Sequence, residues 1–347
     1  MSIASTRRKV AVIGLGGTIT MTSSPAGGVV PALTAEDLVA GVPGLDDMGI
    51  DLEVTTLRQV AGPSLSFDDL QALRDDIARR GGGVDGVVIT QGTDTIEETA
   101  YLLDLLHSEQ TPIVVTGAMR NPTMLGADGQ ANLLAAIVTA AAPAARGWGC
   151  LVVFNDEIHS AAAVRKLHTS STATFRSPDT GPVGHIVEGI PRFHCGHSSR
   201  LTVPARVHDD IRIPVHTVVF DDDAVLLDGG EDRVDGLIIA AMGAGHIPAR
   251  LVPIVDKYTA RVPVVLASRA YGGAVMRSTY GFAGSERDLI GRGLIPAGYL
   301  DRVKARILLT VLLCSGCDDR TLRQAFATAA GYCEADLWPW PTDTRQK

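Results

Sequence analysis

The stretch VVITQGTDTIEETAYLLDLL, residues 87–106, decides the fold of this chain. It begins as an apolar, largely β-branched run, which is typical of a strand covered on both faces. After Gly92 the apolar residues take helical spacing, and Thr95 with the acids that follow it predicts a helix N-cap. A buried strand that leads directly into a helix is the building unit of a parallel α/β sheet. Thr93 and Asp94 therefore lie at a strand-to-helix turn.

The same alternation runs through the first half of the chain. Buried strands are predicted at KVAVIGLGG (9–17), DGVVITQGT (85–93), TPIVVTGAM (111–119) and CLVVFNDEI (150–158). Helices are predicted at SFDDLQALRDDIARR (66–80), with Ser66 as N-cap, at TIEETAYLLDLLHSE (95–109) and at GADGQANLLAAIVTAAAPAA (126–145). This pattern predicts a doubly wound α/β domain with a parallel sheet.

A second, smaller α/β domain is predicted after a polar, irregular stretch punctuated by Pro204 and Pro214. Its strands and helices are expected at VHTVVF (215–220), VDGLIIAAMG (234–243), IPARLVPIVDKYTA (247–260), VPVVLASRA (262–270) and DRVKARILLTVLLC (301–314). We expect an N-terminal domain over residues 1–200, a linker over 201–212 and a C-terminal domain over 213–347.

The composition argues against several kinds of partner. The 347 residues carry a formal net charge of -8 and a pI of about 5.6, whereas nucleic acids and anionic membranes favour basic surfaces. A small-molecule ligand is expected instead. The basic start MSIASTRRKV lacks the apolar segment of a signal peptide, and no later run reaches membrane-spanning length, so a cytoplasmic location is predicted.

Neither a disulfide framework nor a metal site is expected from the cysteines and histidines. Cys314 and Cys317 form a C-x-x-C without a second pair, and two small residues near the end of an apolar helix is the plainer interpretation. The histidines at 168, 185, 194 and 197 are scattered among turn residues and lack a carboxylate pattern. The expected cofactor and metal content is therefore none.

Hydroxyl-bearing and small residues gather at the predicted strand ends, where open parallel sheets bind ligands. The glycine turn GLGGTITMT exposes Thr18, and TGAMRNP offers backbone N–H groups at Gly117 and Ala118 to a developing oxyanion. Lys166 lies in a hydroxyl-rich stretch, where a buried lysine can act as a base. Together with Thr93 and its neighbouring aspartate, these residues predict a threonine nucleophile and a Thr-Lys-Asp relay.

Plainer interpretations stay open at this point. Helix capping alone accounts for Thr93–Thr95, and a surface position accounts for Lys166. A non-hydrolytic sensor on the same fold would keep the pocket without needing reactive threonines. A dinucleotide-dependent oxidoreductase would need a complete G-x-G-x-x-G, but Ile19 stands where its third glycine is required.

Several motifs in order, from about residue 8 to residue 330, resemble the bacterial L-asparaginase family. They are GLGGTIT (14–20), VVITQGTDTIEETAYLLDL (87–105), VVTGAMR (114–120), GADGQANL (126–133), RKLHTSSTATFRSPDTGPVG (165–184) and KARILL (304–309). The resemblance implies hydrolysis of a side-chain amide to a carboxylate and ammonia, without a cofactor. It also implies a larger flavodoxin-like N-terminal domain, a smaller C-terminal domain, and a homo-oligomer, commonly a tetramer of close dimers with sites at the dimer contact.

The resemblance also implies a role for five residues. Thr18 matches the nucleophile that forms the acyl-enzyme. Thr93 would position the attacking water or the amide, Lys166 would tune Thr93, and Asp94 would hold the substrate ammonium. The backbone of Ala118 would help to bind the leaving amide.

Four positions depart from the family pattern. The loop TMTSSPAGGVVPALT (20–34) has no lid tyrosine, and RAYGGAVMRSTYGF (269–282) lacks the acid that a neighbouring subunit often contributes. Gly62 and Pro63, with Ser64 displaced, stand where a Ser-Gln pair often holds the α-carboxylate, and His246 stands where asparagine is frequent. We predict L-asparagine hydrolysis, with hydrolysis of a different small amide as the alternative.

Overall fold

The computed structural model describes residues 7–23, 27–197 and 199–341. Residues 24–26, in the middle of the expected lid loop, lie outside the described residues, as do both termini and residue 198. The chain divides into two compact units between residues 198 and 199. In the part of the chain that the structure describes, no helix is both long and apolar enough to cross a membrane.

The first unit is built from twelve strands and four helices among the described residues. The strands are β1 Arg8–Gly16, β2 Met21–Ser23, β3 Val29–Pro31, β4 Ile50–Val60, β5 Gly86–Thr90, β6 Ile113–Thr116, β7 Cys150–Phe154, β8 Glu157–Ser160, β9 Arg165–Lys166, β10 Phe175–Arg176, β11 Gly184–Val187 and β12 Ile190–Phe193. The helices are α1 Ala35–Ala40, α2 Phe67–Arg80, α3 Ile96–Leu106 and α4 Gly129–Ala141.

Eight of these strands form one sheet in the order β12-β11-β8-β7-β6-β5-β1-β4. The strands β4, β1, β5, β6 and β7 run parallel, and every residue of β5, β6 and β7 is buried. Residues 87–106 therefore form the predicted buried strand and helix. The parallel α/β fold is confirmed, and the carboxyl ends of five strands meet at one edge of the sheet.

Two features of this sheet differ from the expectation. CLVVFNDEI is two strands, because Asn155 and Asp156 take positive φ values of 51° and 62° and fold β7 back on β8 as an antiparallel hairpin. A two-residue loop with both φ angles positive suits the twist of paired strands. The edge strand β4 was not predicted, since its half-exposed, charged sequence lacks the continuous apolar run of its neighbours.

The second unit contains four strands and four helices in its described part. They are β13 Val215–Thr217, β14 Leu237–Ala241, α5 Val252–Thr259, β15 Val264–Ser268, α6 Glu286–Gly291, β16 Ile295–Pro296, α7 Arg302–Cys314 and α8 Asp319–Ala329. The strands form a parallel sheet in the order β13-β14-β15-β16. The smaller C-terminal α/β unit is thereby confirmed.

The C-x-x-C pair lies at the end of α7. Both cysteines are free thiols, and burial raises the pKa of Cys314 and of Cys317. A raised pKa keeps a thiol protonated and poorly nucleophilic, whereas redox-active pairs depend on a thiolate. The plain structural interpretation of these residues fits this environment.

His159 is a buried histidine in the first unit, on β8. Its side chain is fully buried, with Nδ1 3.0 Å from Ser177 Oγ and Nε2 3.2 Å from a carboxylate oxygen of Glu157. Burial lowers the pKa of His159 from 6.5 to about 4, although Glu157 acts in the opposite direction. The folded chain therefore holds this imidazole neutral at pH values where the unfolded chain protonates it.

We expect a pH-dependent loss of stability from His159. A folded pKa below the unfolded one gives stability that is fully present above about pH 6.5 and is lost as the pH falls toward 4, by up to about 3 kcal/mol. Chemical denaturation between pH 7 and 4 should show a flatter profile for His159→Gln. The exposed His197→Gln serves as control, and equal slopes for wild type and H159Q would contradict the assignment.

Candidate active site

Three glycines bring the turns after β1, β4 and β5 into direct backbone contact. A Cβ atom at Gly17 would lie 2.1 Å from the backbone N of Gly92, and one at Gly92 would lie 2.8 Å from the N of Gly62. Side chains at these positions would overlap the facing backbone. The residues that follow the glycines, Thr18 and Thr93, are therefore held on adjacent turns at the carboxyl edge of the sheet.

Thr18 begins a single 3-10 turn over Thr18–Thr20. The turn is anchored by Thr20, whose backbone N and side-chain Oγ1 donate to the carbonyl of Gly17 at 3.0 and 2.8 Å. Gly17 in turn donates its N–H to the carbonyl of Val60 at 3.1 Å. Thr18 itself is half-buried, so its hydroxyl sits on a fixed backbone and remains within reach of solvent.

Lys166 joins the two polar residues of the turn after β5. Its Nζ donates to Thr93 Oγ1 at 2.9 Å and to Asp94 Oδ1 at 2.6 Å. Thr93 is 6% exposed, and the side chain of Lys166 is 15% exposed, whereas the side chain of Asp94 is 61% exposed. Lys166 contacts only one carboxylate oxygen of Asp94, and it orients the Thr93 hydroxyl through a partly buried hydrogen bond.

A short hairpin delivers Lys166 to this position. Lys166 on β9 pairs with Phe175 on β10, and the connecting turn is closed by Thr174, which accepts from the backbone N of His168 at 3.0 Å and donates back to its carbonyl. The ring Nδ1 of His168 accepts from the backbone N of Ser170 at 3.1 Å and of Ser171 at 3.0 Å. The hydroxyl-rich stretch thus builds the turn that presents the lysine.

Thr95 does not cap α3, contrary to the sequence prediction. It occupies the N-cap position, but its side chain makes no capping hydrogen bond. Its Oγ1 accepts from Gln91 Nε2 at 3.2 Å and donates to the carbonyl of Gly62 at 3.4 Å. The hydroxyl therefore links the turn after β5 to the turn after β4. At the start of α2, by contrast, Ser66 forms the predicted N-cap with a full capping box to Asp69.

Gly62, Pro63 and Ser64 form a 3-10 turn directly after the end of β4. Gly62 is buried against Gly92, while Pro63 and Ser64 are exposed. Of the three predicted substrate-binding residues in this turn, Gly62 lies next to the Thr93 turn and offers only backbone groups.

Ala118 is fully buried in the turn after β6, and its neighbours in that turn bind two polar side chains at the start of α4, those of the N-cap Asp128 and of Asn132. Asp128 accepts from the backbone N of Met119 at 3.0 Å and of Arg120 at 2.9 Å. Asn132 donates to the carbonyl of Gly117 at 3.0 Å and to Asp128 at 3.1 Å. The sequence reasoning quoted the motif GADGQANL without assigning these side chains a role. Asp128 and Asn132, four residues apart and just before the apolar run LLAAIV, were the available signal.

His246 belongs to the second unit. Its Nε2 lies 3.3 Å from Glu286 Oε2, and its ring contacts Tyr280 and Phe282 edge-on, with centroid distances of 4.7 and 5.1 Å. Burial raises the pKa of the fully buried Glu286, but its backbone hydrogen bonds and His246 outweigh burial and lower the pKa overall. His246 thus lies beside an ionised carboxylate within its own unit.

No group of three or more His, Cys, Asp or Glu side chains in the described ranges is arranged to hold a metal ion. The polar groups on the turn after β5 are instead the Thr93 hydroxyl, the Asp94 carboxylate and the lysine that binds both, a set of the kind used for activating a hydroxyl nucleophile.

Comparison with known proteins places this chain in a family. The family model described as "Asparaginase, N-terminal" matches residues 9–197, and "Glutaminase/Asparaginase C-terminal domain" matches residues 212–326. The chain belongs to the asparaginase family. It is an amidohydrolase, and this replaces the two alternative functions, a non-hydrolytic sensor and a dinucleotide-dependent oxidoreductase.

Relatives of this asparaginase-family chain cover nearly its full length. A protein from Deinococcus radiodurans named "Probable L-asparaginase" is 36% identical over 92% of this chain and 97% of its own. An L-asparaginase from Bacillus licheniformis is 32% identical over 89% and 96% of the two chains. The crystal structure of a "Probable Cytoplasmic L-asparaginase" from Campylobacter jejuni superposes with a TM-score of 0.82 at 29% identity, covering 92% of this chain and 99% of that one.

Substitution Gly92→Ala tests the backbone contact between the turns. The new Cβ would lie 2.8 Å from the N and 2.9 Å from the Cα of Gly62, so the turns must separate. We expect about 1–3 kcal/mol of lost unfolding free energy, a typical result of overpacking, together with reduced ammonia release. Gly82→Ala is the matched control, because a Cβ there meets open space. Equal stability of the two variants would contradict the contact.

Proposed function

We propose that this protein hydrolyses L-asparagine to L-aspartate and ammonia through a threonine acyl-enzyme. The observation that carries the proposal is the bridge from the largely buried Lys166 Nζ to Thr93 Oγ1 and Asp94 Oδ1, at 2.9 and 2.6 Å, on the turn packed against that of Thr18. The names of the relatives from Deinococcus, Bacillus and Campylobacter support this substrate, and none of them supports the alternative of a different small amide.

In the proposed reaction, the Thr18 hydroxyl oxygen attacks the carbon of the side-chain amide. The C–N bond breaks, and nitrogen departs as ammonia after taking up the proton that Thr18 releases. Water then attacks the resulting ester, which yields the carboxylate and restores the Thr18 hydroxyl. Because Thr93 Oγ1 accepts from Lys166, its own proton is directed elsewhere, and we assign Thr93 to positioning the attacking water or the amide.

Substrate recognition in this proposal uses the groups around the same edge of the sheet. The exposed carboxylate of Asp94 binds the substrate ammonium through the oxygen that does not bind Lys166. The Gly62–Ser64 turn binds the α-carboxylate through backbone and hydroxyl groups. The backbone of Ala118 binds the leaving amide. His246 is proposed as a further substrate contact, in a homo-oligomer of two or four copies that works in the cytoplasm without a cofactor.

Thr18→Ala should remove the nucleophile. We expect ammonia release from L-asparagine to fall at least roughly 1,000-fold, because no acyl-enzyme can form, while thermal stability stays near that of wild type. Thr22→Ala, a half-buried threonine four residues later, is the matched control. Full activity of T18A would overturn the nucleophile assignment, and wild-type preference for L-glutamine, D-asparagine or a blocked amide would overturn the substrate.

Lys166→Met should uncouple Thr93 from Asp94. Methionine keeps the apolar stem but removes the ammonium that donates to both residues, and we expect kcat to fall about 100-fold or more. Lys257→Met is the control, since Lys257 forms an ion pair of similar length, 2.8 Å to Asp228, on an exposed surface of the second unit. The kcat of both variants is measured by steady-state ammonia release. Equal losses of kcat in K166M and K257M would indicate that Lys166 contributes only to folding.

A further inference from the structure

The N-cap residue of α4 is used for the loop that precedes it and not for its own helix. Asp128 occupies the N-cap position, where aspartate ordinarily accepts from the first turn of the helix, yet its side chain makes no capping hydrogen bond. Both carboxylate oxygens accept instead from the turn after β6, at Met119 N and Arg120 N. A strong helix-capping residue diverted in this way gives up a local preference, and such departures mark functional positions.

Asn132 lies one helical turn later, and every hydrogen-bonding group of its side chain binds either a loop or Asp128. Its two amide hydrogens serve the carbonyl of Gly117 and Asp128, and its Oδ1 accepts from the backbone N of Asn155 at 3.0 Å. The side chain is 3% exposed. It therefore ties the turn after β6 to the β7–β8 turn.

These two side chains together fix both peptide groups that flank Ala118. The carbonyl of Gly117 belongs to the same peptide as the N–H of Ala118, and the N–H of Met119 belongs to the same peptide as the carbonyl of Ala118. In a trans peptide the C=O and N–H point to opposite sides. Because Asn132 draws the Gly117 carbonyl toward α4 and Asp128 draws the Met119 N–H toward α4, both polar backbone groups of Ala118 point away from that helix.

The surroundings of this turn show which residues it packs against. A Cβ atom on Gly117 would lie 3.4 Å from Thr93 Cγ2, and one on Gly129 would lie 2.9 Å from Ile19 Cγ1 and 3.3 Å from Ala118 Cβ. The Ala118 turn thus packs between Thr93 and the residue next to Thr18, the two threonine-bearing turns of the candidate site.

We infer that Asp128 and Asn132 are positioning residues for the leaving group, holding the Ala118 carbonyl to accept an N–H of the departing amide nitrogen. This inference rests on the proposed function, since it concerns the acylation step. The nitrogen becomes more basic as the C–N bond breaks and takes up the proton from Thr18, so an acceptor held in place for its N–H groups contributes most in that step.

The test compares two leaving groups. The β-amide of L-asparagine departs with N–H groups, whereas the β-methyl ester of L-aspartate departs through an oxygen that has none to donate to the Ala118 carbonyl. We expect Asp128→Asn to lower kcat/KM for the amide about 10- to 100-fold more than for the ester, because kcat/KM reports steps up to acylation. Asn132→Asp removes both amide donors, including the one that binds Asp128, so it should give the same bias, and it serves if D128N does not fold.

Asn121→Ala is the matched control in the same loop. It removes the side-chain oxygen that accepts from Thr123 N at 3.0 Å without touching the peptides of Ala118, so its amide-to-ester ratio should equal that of wild type. Equal losses on amide and ester in D128N and N132D would overturn this inference and leave the proposed function standing. A wild-type chain that released no ammonia from L-asparagine would overturn the proposed function, and this inference with it.

Discussion

The structure of the first unit depends on how closely three turns approach each other at the carboxyl edge of the parallel sheet. Parallel strands bring their carboxyl ends to one edge of the sheet. For the hydroxyl groups of two neighbouring turns to lie close together, however, the backbones of those turns must be in direct contact. Gly17, Gly92 and Gly62 make that contact, since a Cβ atom at Gly17 or Gly92 would overlap the backbone of the neighbouring turn. Thr18 and Thr93 inherit their relative placement from it.

The architecture could be predicted from the sequence because buried parallel strands are written as continuous apolar runs. β1, β5, β6 and β7 are each such a run, and the helices between them have regular spacing. β4 lacks that signal, since it lies at the edge of the sheet with polar residues along its length. The Asn155–Asp156 turn was not predicted. Both residues have positive φ values, but the sequence there contains no glycine that would have indicated a turn.

The candidate site was predictable as residue types and not as a geometry. Thr93, Asp94 and Lys166 were named from the sequence, and the structure brings Lys166 to the other two across a separation of more than seventy residues. That contact depends on the β9–β10 hairpin, which no local sequence pattern predicts. The N-cap predicted at Thr95 is wrong, and Asp128 departs from ordinary capping for the same reason. Both stand at helix N-caps, and both side chains are drawn toward neighbouring loops by nearby backbone groups. The linker at 201–212 and the roles of the substrate-binding residues stay predictions.

The edge position of β4 has a consequence for how the folded chain behaves at high concentration. An edge strand of eleven residues presents unpaired peptide groups to which another molecule could add a strand. Here β4 carries charged side chains held in ion pairs: Glu53 pairs with Lys9 and Arg80, and Arg58 pairs with Asp69 at 2.7 Å. Charged side chains on an edge strand disfavour the addition of a second strand, so the longest strand of the sheet is also a poor template for aggregation.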